Sequence, residues 1–204
     1  FGSSFVGGNF VGSFIGSGSG LGDVWHTGGN LNTSPTNNNF LGTSDNQPLD
    51  VRVNNTRVLR LTPDARGLGA GNLIGGHFDN AVLQPGSGGN TIAGGGFGGG
   101  GGNIINSNSA GVFIGAGSAN QVGPNVLDSV IGGGLGNTVQ SSDSVIVGGV
   151  SQTVRANASY SFIGGGQNNI AGNAWSVTAG GYYNTNNGLV AFIGAGDYNL
   201  VGNS

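Results

Sequence analysis

The chain of 204 residues contains no cysteine, no lysine and no glutamate, and its charged residues amount to only 6%. The missing cysteines exclude disulfide bridges, thiolate metal sites and cysteine nucleophiles. Lysine and glutamate are good helix formers and glycine is a poor one, so their absence beside 47 glycines argues against long helices. The small net charge of -3 provides neither a basic surface for nucleic acid nor a polybasic membrane patch.

The residue pattern argues against three further classes of protein: collagen, membrane-spanning and disordered chains. Glycine does not fall at every third position, which excludes a collagen helix. A membrane-spanning helix needs about 18 consecutive apolar residues, and no apolar run in this sequence approaches that length. Disordered chains are poor in β-branched and aromatic residues, whereas Phe, Ile and Val recur along this chain. The composition therefore favours a folded protein that is rich in β structure.

The main positive signal is an internal repeat. Six segments align without gaps: VFIGAGSAN (112–120), SVIGGGLGN (129–137), SVIVGGVSQ (144–152), SFIGGGQNN (161–169), SVTAGGYYN (176–184) and AFIGAGDYN (191–199). Their starts are separated by 17, 15, 17, 15 and 15 residues. The stretch LIGGHFDN (73–80) keeps the frame, with His77 at a position where the other copies have glycine. The residues from 91 to 106 resemble a further copy with a glycine insertion at 94–102.

Two positions of the repeat are nearly invariant. The sixth is always glycine, at Gly117, Gly134, Gly149, Gly166, Gly181 and Gly196. The ninth is an amide residue, at Asn120, Asn137, Gln152, Asn169, Asn184 and Asn199. Glycine permits a positive φ and the close approach of two backbones. Asparagine tolerates the left-handed region and can stack into an amide ladder on successive coils.

A period of about 15 residues with two short apolar segments is typical of one coil of a parallel β-solenoid. We therefore predict an all-β, glycine-rich parallel β-solenoid, or β-roll, with coils of 15 to 17 residues. The second and third residues of each copy should face opposite sides of a strand, one into the core and one outward or against a neighbouring chain. These apolar residues are Phe113, Ile114, Val130, Ile131, Val145, Ile146, Phe162, Ile163, Val177, Phe192 and Ile193.

A segment from 25 to 66 differs from the repeat. Leu49, Val51 and Val53 alternate with polar residues, Asn54 and Asn55 give a turn signal, and residues 57–61 form a second short apolar segment. This pattern predicts a β-hairpin. We divide the chain into a solenoid-like segment (1–24), a hairpin collar (25–66) and the repeat solenoid (67–204).

The sequence contains no pattern typical of a catalytic, phosphate-binding or metal-binding site. The run GGGFGGGGG lacks the Lys-Ser/Thr of a phosphate-binding loop, and the aspartates fall at different repeat positions, unlike a calcium-binding repeat. His26 and His77 have no cysteine or glutamate partners for a zinc site or a triad. We therefore assign no catalytic residue, no metal site and no cofactor. The aromatic residues near the coil corners either stack on sugars or fill structural contacts: Tyr160, Trp175, Tyr182, Tyr183 and Tyr198.

The stretch NFLGTSDNQPLDVRVNNTRVLRLTPD, followed by GNLIGGHFDN and the run of coils, resembles repeat-rich bacterial surface proteins and phage tail-fibre or tail-spike proteins. The coils are also similar to a glycine-richer form of the head of trimeric autotransporter adhesins, a left-handed parallel β-roll. The resemblance implies a trimeric, extracellular, non-enzymatic fibre. The chaperone domain, coiled-coil stalk and membrane anchor found in such families are not seen in this sequence.

The sequence thus leads to two functional hypotheses. The first is an extracellular structural protein, a rigid solenoid with an adhesive role whose copies join as a homo-trimer or head to tail. The head-to-tail form rests on the last residues, YNLVGNS, which the first residues, FGSSFVGGNFVG, would continue. The second is a phage tail-fibre or adhesin module that recognises a surface glycan or protein. Both place the chain at a cell surface or in a virion fibre, without nucleic acid or membrane insertion.

Overall fold

The computed structural model describes residues 40–64 and 66–202, and in this part the secondary structure is entirely β. The chain divides into two units, Phe1–Gly42 and Thr43–Ser204, and every strand of the described residues lies in the second. The predicted segment 1–24 and His26 lie outside the described residues. The predicted parallel β-solenoid is confirmed, with eight coils that each contribute one strand to each of two sheets.

The predicted hairpin is present and precedes the first coil. Strands β1 (Leu49–Val53) and β2 (Thr56–Thr62) pair antiparallel around Asn54 and Asn55. Both asparagines have positive φ, 46° and 58°, as a two-residue type I′ hairpin turn requires. The second strand then pairs antiparallel with the first strand of the solenoid.

We name the two sheets of the solenoid sheet A and sheet B. Sheet A continues from the hairpin with β3 (Asn72–Gly75), β5 (Thr91–Ile92), β7 (Phe113–Ile114), β9 (Val130–Ile131), β11 (Val145–Ile146), β13 (Phe162–Ile163), β15 (Val177–Thr178) and β17 (Phe192–Ile193). Sheet B consists of β4 (Ala81–Val82), β6 (Ile104–Ile105), β8 (Gln121–Val122), β10 (Thr138–Val139), β12 (Thr153–Val154), β14 (Ile170–Ala171), β16 (Thr185–Asn186) and β18 (Leu200–Val201).

The chain alternates between the sheets, so each strand pairs in parallel with the equivalent strand one coil away. Val177 pairs with Phe192, an offset of 15 residues, whereas Thr91 pairs with Phe113, an offset of 22. The longer coil contains the predicted glycine insertion at 94–102, which lies in the connection from β5 to β6. Extra residues are therefore accommodated in the connections, and the strand register is kept.

The core is a single file of side chains from each sheet. In the two-residue strands the second residue points inward, and on sheet A it is almost always isoleucine. These isoleucines are fully buried at Ile92, Ile114, Ile131, Ile146 and Ile163. The inward residues of sheet B face them and are mostly valines, among them Val122, Val139 and Val154, with Ile105 in the second coil. Each coil therefore buries little apolar surface, and other interactions must contribute to stability.

The hairpin covers the end of the solenoid that lies before β3. Arg57 Nη2 donates to the carbonyl oxygens of Phe78 and Asn80, the latter at 2.9 Å. Asn103 is the equivalent of Asn80 in the next coil. Its carbonyl oxygen accepts instead from the backbone N–H of Ala81, at 3.0 Å. The guanidinium of Arg57 thus takes the place that the N–H of a preceding coil would have, which satisfies a carbonyl at the solenoid end.

An ion pair completes this covering. Arg60 donates to both carboxylate oxygens of Asp50, at 2.6 Å from Nε and 2.9 Å from Nη2. The register places these two residues in line with Ile74, at the end of the inward row of sheet A. The hydrogen bonds from Arg60 are the largest cause that lowers the pKa of Asp50, to about 2, against an opposing effect of burial.

We predict that acid loosens the hairpin. Because the pKa of Asp50 is depressed, the ionised carboxylate stabilises the fold. This contribution is fully present at pH values above the ordinary pKa of 3.8 and is lost as the pH falls through about 2. Amide protection in residues 49–62, corrected for intrinsic exchange, should therefore fall between about pH 4 and pH 2. Hydrogen exchange with mass spectrometry measures this.

The Asp50→Asn variant should have lower protection at neutral pH and lose this part of the acid step. The comparison with wild type separates Asp50 from Asp64, whose pKa is also lowered, first by a hydrogen bond from the backbone of Arg66. The exposed Asp197→Asn variant is the control and should behave like wild type. Equal protection of the wild-type hairpin at pH 2 and pH 5 would contradict the prediction.

Candidate functional site

The corner that leads from sheet A to sheet B is built on the glycine of the sixth repeat position. All six glycines have positive φ, between 86° at Gly117 and 112° at Gly196. A Cβ atom on Gly134 would overlap the carbonyl oxygen of Gly149 in the next coil. Glycine is therefore required here both by the backbone conformation and by the approach of adjacent coils.

The amide residues of the ninth position form a ladder that runs through the same corner. Asn137 donates from its backbone N–H and from Nδ2 to Asn120 Oδ1, at 3.1 and 3.0 Å. Its Nδ2 also donates to the carbonyl oxygens of Gly133 at 2.8 Å and Gly149 at 3.1 Å. One side chain thus connects its own coil to the coils on both sides. Asn120, Asn137, Gln152, Asn169 and Asn184 are fully buried, and Asn199 lies in the last described coil.

The ladder is longer than the aligned repeats indicate. Asn80 Oδ1 accepts from the backbone N–H of Asn103 at 2.8 Å, and Asn103 Oδ1 accepts from that of Asn120 at 3.1 Å. Asn80 ends the stretch LIGGHFDN, so its alignment with the other copies was the available signal. Asn103 could not be aligned by spacing because the glycine insertion precedes it.

Gln152 is a defect in this ladder. Its backbone N–H donates to Asn137 Oδ1 at 2.9 Å, and its Oε1 accepts from the N–H of Asn169 at 2.8 Å. Its Nε2 is buried and has no hydrogen-bond partner among the described residues. The additional methylene of glutamine displaces the amide from the carbonyl pair that the asparagines reach.

A second ladder, which we did not predict from the sequence, lies at the opposite corner. Ser129, Ser144 and Ser161 each accept at Oγ from the backbone N–H of the next serine, at 3.2 to 3.3 Å, and the last donor is Ser176. All four serines are buried. Each is the first residue of an aligned repeat copy, so the signal was present in the alignment.

The core of the seventh coil is polar. Thr178 occupies the place of the inward isoleucine and Asn186 that of the inward valine, and both are fully buried. Asn186 Nδ2 donates to the carbonyl oxygens of Val177 and Ala191, both at 3.0 Å. Thr178 Oγ1 and Asn186 Oδ1 have no partner among the described residues.

The outward residues of the two sheets differ in character. Among the predicted apolar residues, Ile114, Ile131, Ile146, Ile163 and Ile193 point into the core, whereas Phe113, Val130, Val145, Phe162, Val177 and Phe192 point outward. Sheet B presents a mixed surface that includes Gln121, Thr138, Thr153 and Thr185. The predicted apolar residues that point outward therefore lie together on sheet A, whereas on sheet B the outward apolar residues Ile104, Ile170 and Leu200 are separated by polar ones.

Aromatic residues occupy exposed corners in the last three coils. Tyr160 and Trp175 stack with ring centroids 5.4 Å apart, and Tyr183 and Tyr198 stack at 5.3 Å. All four have positive φ, between 52° and 60°, where glycine or asparagine would be less strained. Tyr182 contacts both Tyr183 and Tyr198 edge to face.

Titratable groups are not gathered into a site in the described part of the chain. His77 Nδ1 lies 3.4 Å from the carboxylate of Asp79, and no group of three potential metal ligands occurs among the described residues. Within residues 40–64 and 66–202 there is no helix long and apolar enough to cross a membrane.

Comparison with known proteins identifies no relative of this chain. No family model matches the chain, and neither the curated proteins nor the solved structures contain a significant match.

We predict that one substitution removes the unpaired amide at Gln152 and that another creates an equivalent defect at Asn137. Gln152→Asn should stabilise the fold by about 1 kcal/mol, because the shorter amide reaches the carbonyl oxygens of Gly148 and Gly166. Asn137→Gln should destabilise it by about 1 to 3 kcal/mol, because it leaves buried polar groups unpaired. Urea unfolding followed by circular dichroism measures both changes.

The matched control is Gln167→Ala, which changes an exposed amide on the outside of the same corner. It should shift stability by less than about 0.5 kcal/mol. A Gln152→Asn variant that is less stable than wild type would show that the ladder geometry does not determine stability at this rung.

Proposed function

We propose that the chain is a non-enzymatic structural protein, a rigid β-solenoid that belongs to an extracellular fibre or surface appendage with an adhesive role. The observation that carries this proposal is the uninterrupted sequence of in-register coils, tied at one corner by the amide ladder from Asn80 to Asn199. The residues that recur in every coil all serve to hold one coil against the next.

Such a solenoid resists bending and local opening. Separating two adjacent coils breaks the backbone hydrogen bonds of two strands together with the bonds of the amide ladder, and from Ser129 to Ser176 those of the serine ladder as well. Because these bonds join consecutive coils, stability is the sum of nearest-neighbour interactions along the axis. This property suits a spacer or a shaft that presents other segments at a distance from a surface.

The extracellular location is supported by the resemblance of the coil and hairpin motifs to bacterial surface and phage fibre proteins. Association of copies stays a prediction, either as a trimer or head to tail. A head-to-tail joint by strand pairing at β3 would compete with β2, which occupies the free edge of that strand. Lateral association meets no such obstacle in the described residues.

A second candidate function is recognition of a surface glycan, as expected of a phage or adhesin receptor-binding module. The observation that favours it is the strained and exposed aromatic corners, since stacked rings offer apolar faces to sugar rings. The corner residues concerned lie in the last three coils, Tyr160, Trp175, Tyr183 and Tyr198.

The structural proposal predicts where the chain is found. Antibodies raised against the folded chain should label fibres or surface layers on intact source cells or virions in immunogold electron microscopy. Pre-absorption of the antibodies with the purified chain should abolish the label. Label confined to the interior of sectioned cells would contradict the proposal.

The glycan alternative predicts binding that depends on the aromatic corners. A glycan array probed with the labelled chain should give signals that fall at least tenfold in the Tyr183→Asn/Tyr198→Asn double variant, since asparagine keeps the positive φ. The control is Val150→Thr, which changes the position equivalent to Tyr182 two coils earlier, away from the aromatic residues. An array without signal for wild type would eliminate this alternative.

A further inference from the structure

We propose that two copies of this chain associate face to face through the outer surface of sheet A. The inference rests on the proposed structural function, because it names the partner and the surface through which the solenoid assembles.

The surface consists of two adjacent rows of residues, which we call the outer stripe. The first row contains the outward residue of each strand: Leu49, Leu61, Leu73, Thr91, Phe113, Val130, Val145, Phe162, Val177 and Phe192. The second row lies two positions from the first along each strand: Val51, Leu59, Gly75, Ala93, Gly115, Gly132, Val147, Gly164, Ala179 and Gly194. Neither row contains a charged residue, and the hairpin continues both.

The outer stripe is flat as well as apolar. Each phenylalanine of the first row is followed by glycine in the second, as in Phe113 and Gly115. A Cβ atom on Gly115 would lie 3.4 Å from the Phe113 ring, and one on Gly164 would lie 3.2 Å from the Phe162 ring. The rings therefore cover the glycines of their own strands, as aromatic side chains do at glycine positions in sheets. The rings stay accessible, with Phe113 40%, Phe162 37% and Phe192 68% exposed.

The occupant that fits this surface is another copy of the same chain. A neutral face has no charge complementarity to offer a charged partner. Successive residues of each row are about 4.8 Å apart, which is the spacing of hydrogen-bonded strands. A second copy presents the same spacing over the same length. The outward row of sheet B has no comparable continuous apolar surface, because Gln121, Thr138, Thr153 and Thr185 interrupt the apolar residues Ile104, Ile170 and Leu200.

The area is sufficient for a stable pair. Ten strands of sheet A extend over about 48 Å, and two rows with their flanks are about 13 Å wide. Each chain would bury about 600 Å², and a pair about 1,200 Å², the lower bound of standard interfaces. One flat face per chain favours a two-fold pair, in which the same surface is used by both partners. A trimer around an axis would need two such faces on each chain.

The mass of the purified chain in solution tests the proposal. Light scattering coupled to size exclusion should give twice the chain mass of 20.0 kDa. A monomer or a trimer at all concentrations would overturn the face-to-face pair. Neither outcome affects the immunogold test of the extracellular fibre, so the two proposals fail separately.

Matched charge variants in one coil identify the surface. Val145→Asp on sheet A should reduce the particle to a monomer, because it buries an unpaired charge in the interface. Thr153→Asp lies in the same coil on sheet B, at a similarly half-buried outward position, and should leave the pair intact. Circular dichroism shows that both are folded. Dissociation by Thr153→Asp and not by Val145→Asp would assign the interface to sheet B and overturn the proposal.

Cross-linking provides a test that does not disturb folding. The chain has no cysteine, so a single cysteine is a unique label. Val130→Cys lies near the middle of the outer stripe, where a two-fold axis brings equivalent residues together. A bis-maleimide that spans about 10 Å, the distance between packed sheets, should join two chains through it. Thr138→Cys, on sheet B of the same coil, should give no cross-link, and the opposite pattern would contradict the pair.

Discussion

The structure depends on satisfying the backbone carbonyl groups at the corners of a very thin solenoid. At each corner from sheet A to sheet B the backbone turns with positive φ, and carbonyl groups of two coils point toward the interior. These carbonyl groups are partly buried, and a buried carbonyl without a partner is costly. The asparagine side chain supplies donors at the required point and accepts at the same time from the next coil. Because each rung serves three coils, the spacing of all coils follows from this one contact.

The amide ladder also explains why the apolar core can be small. Only one residue of each two-residue strand points inward, so the strands of one coil contribute at most two apolar side chains, to which a few corner residues such as Val112 and Val126 are added. Hydrogen bonds at both corners compensate, and they allow the seventh coil to keep a polar pair, Thr178 and Asn186, in the core. The limited core leaves the outward residues of sheet A available, which is the basis for the proposed association of two copies.

Much of the fold could be predicted because the repeat is regular. The spacing of Gly117 to Gly196 and of Asn120 to Asn199 determined the coil, and Asn54-Asn55 indicated the hairpin turn. Alternation alone could not decide which of Phe162 and Ile163 faces the core, since both are apolar. The serine ladder was missed because serine is common in loops and turns and has no strong geometric signature. The contact of Arg57 with Phe78 and Asn80 joins residues more than 20 positions apart, so no local pattern could predict it.

The most direct test of the amide ladder is nuclear magnetic resonance of the hydrogen bonds themselves. Scalar couplings across the hydrogen bond should connect the backbone nitrogen of Asn137 to the side-chain carbonyl carbon of Asn120, and likewise along Asn169, Asn184 and Asn199. The side-chain NH₂ protons of the buried residues Asn120, Asn137, Asn169 and Asn184 should exchange with water much more slowly than those of exposed asparagines. Absent couplings together with side-chain exchange as fast as in exposed asparagines would contradict the ladder as the contact that sets the coil spacing.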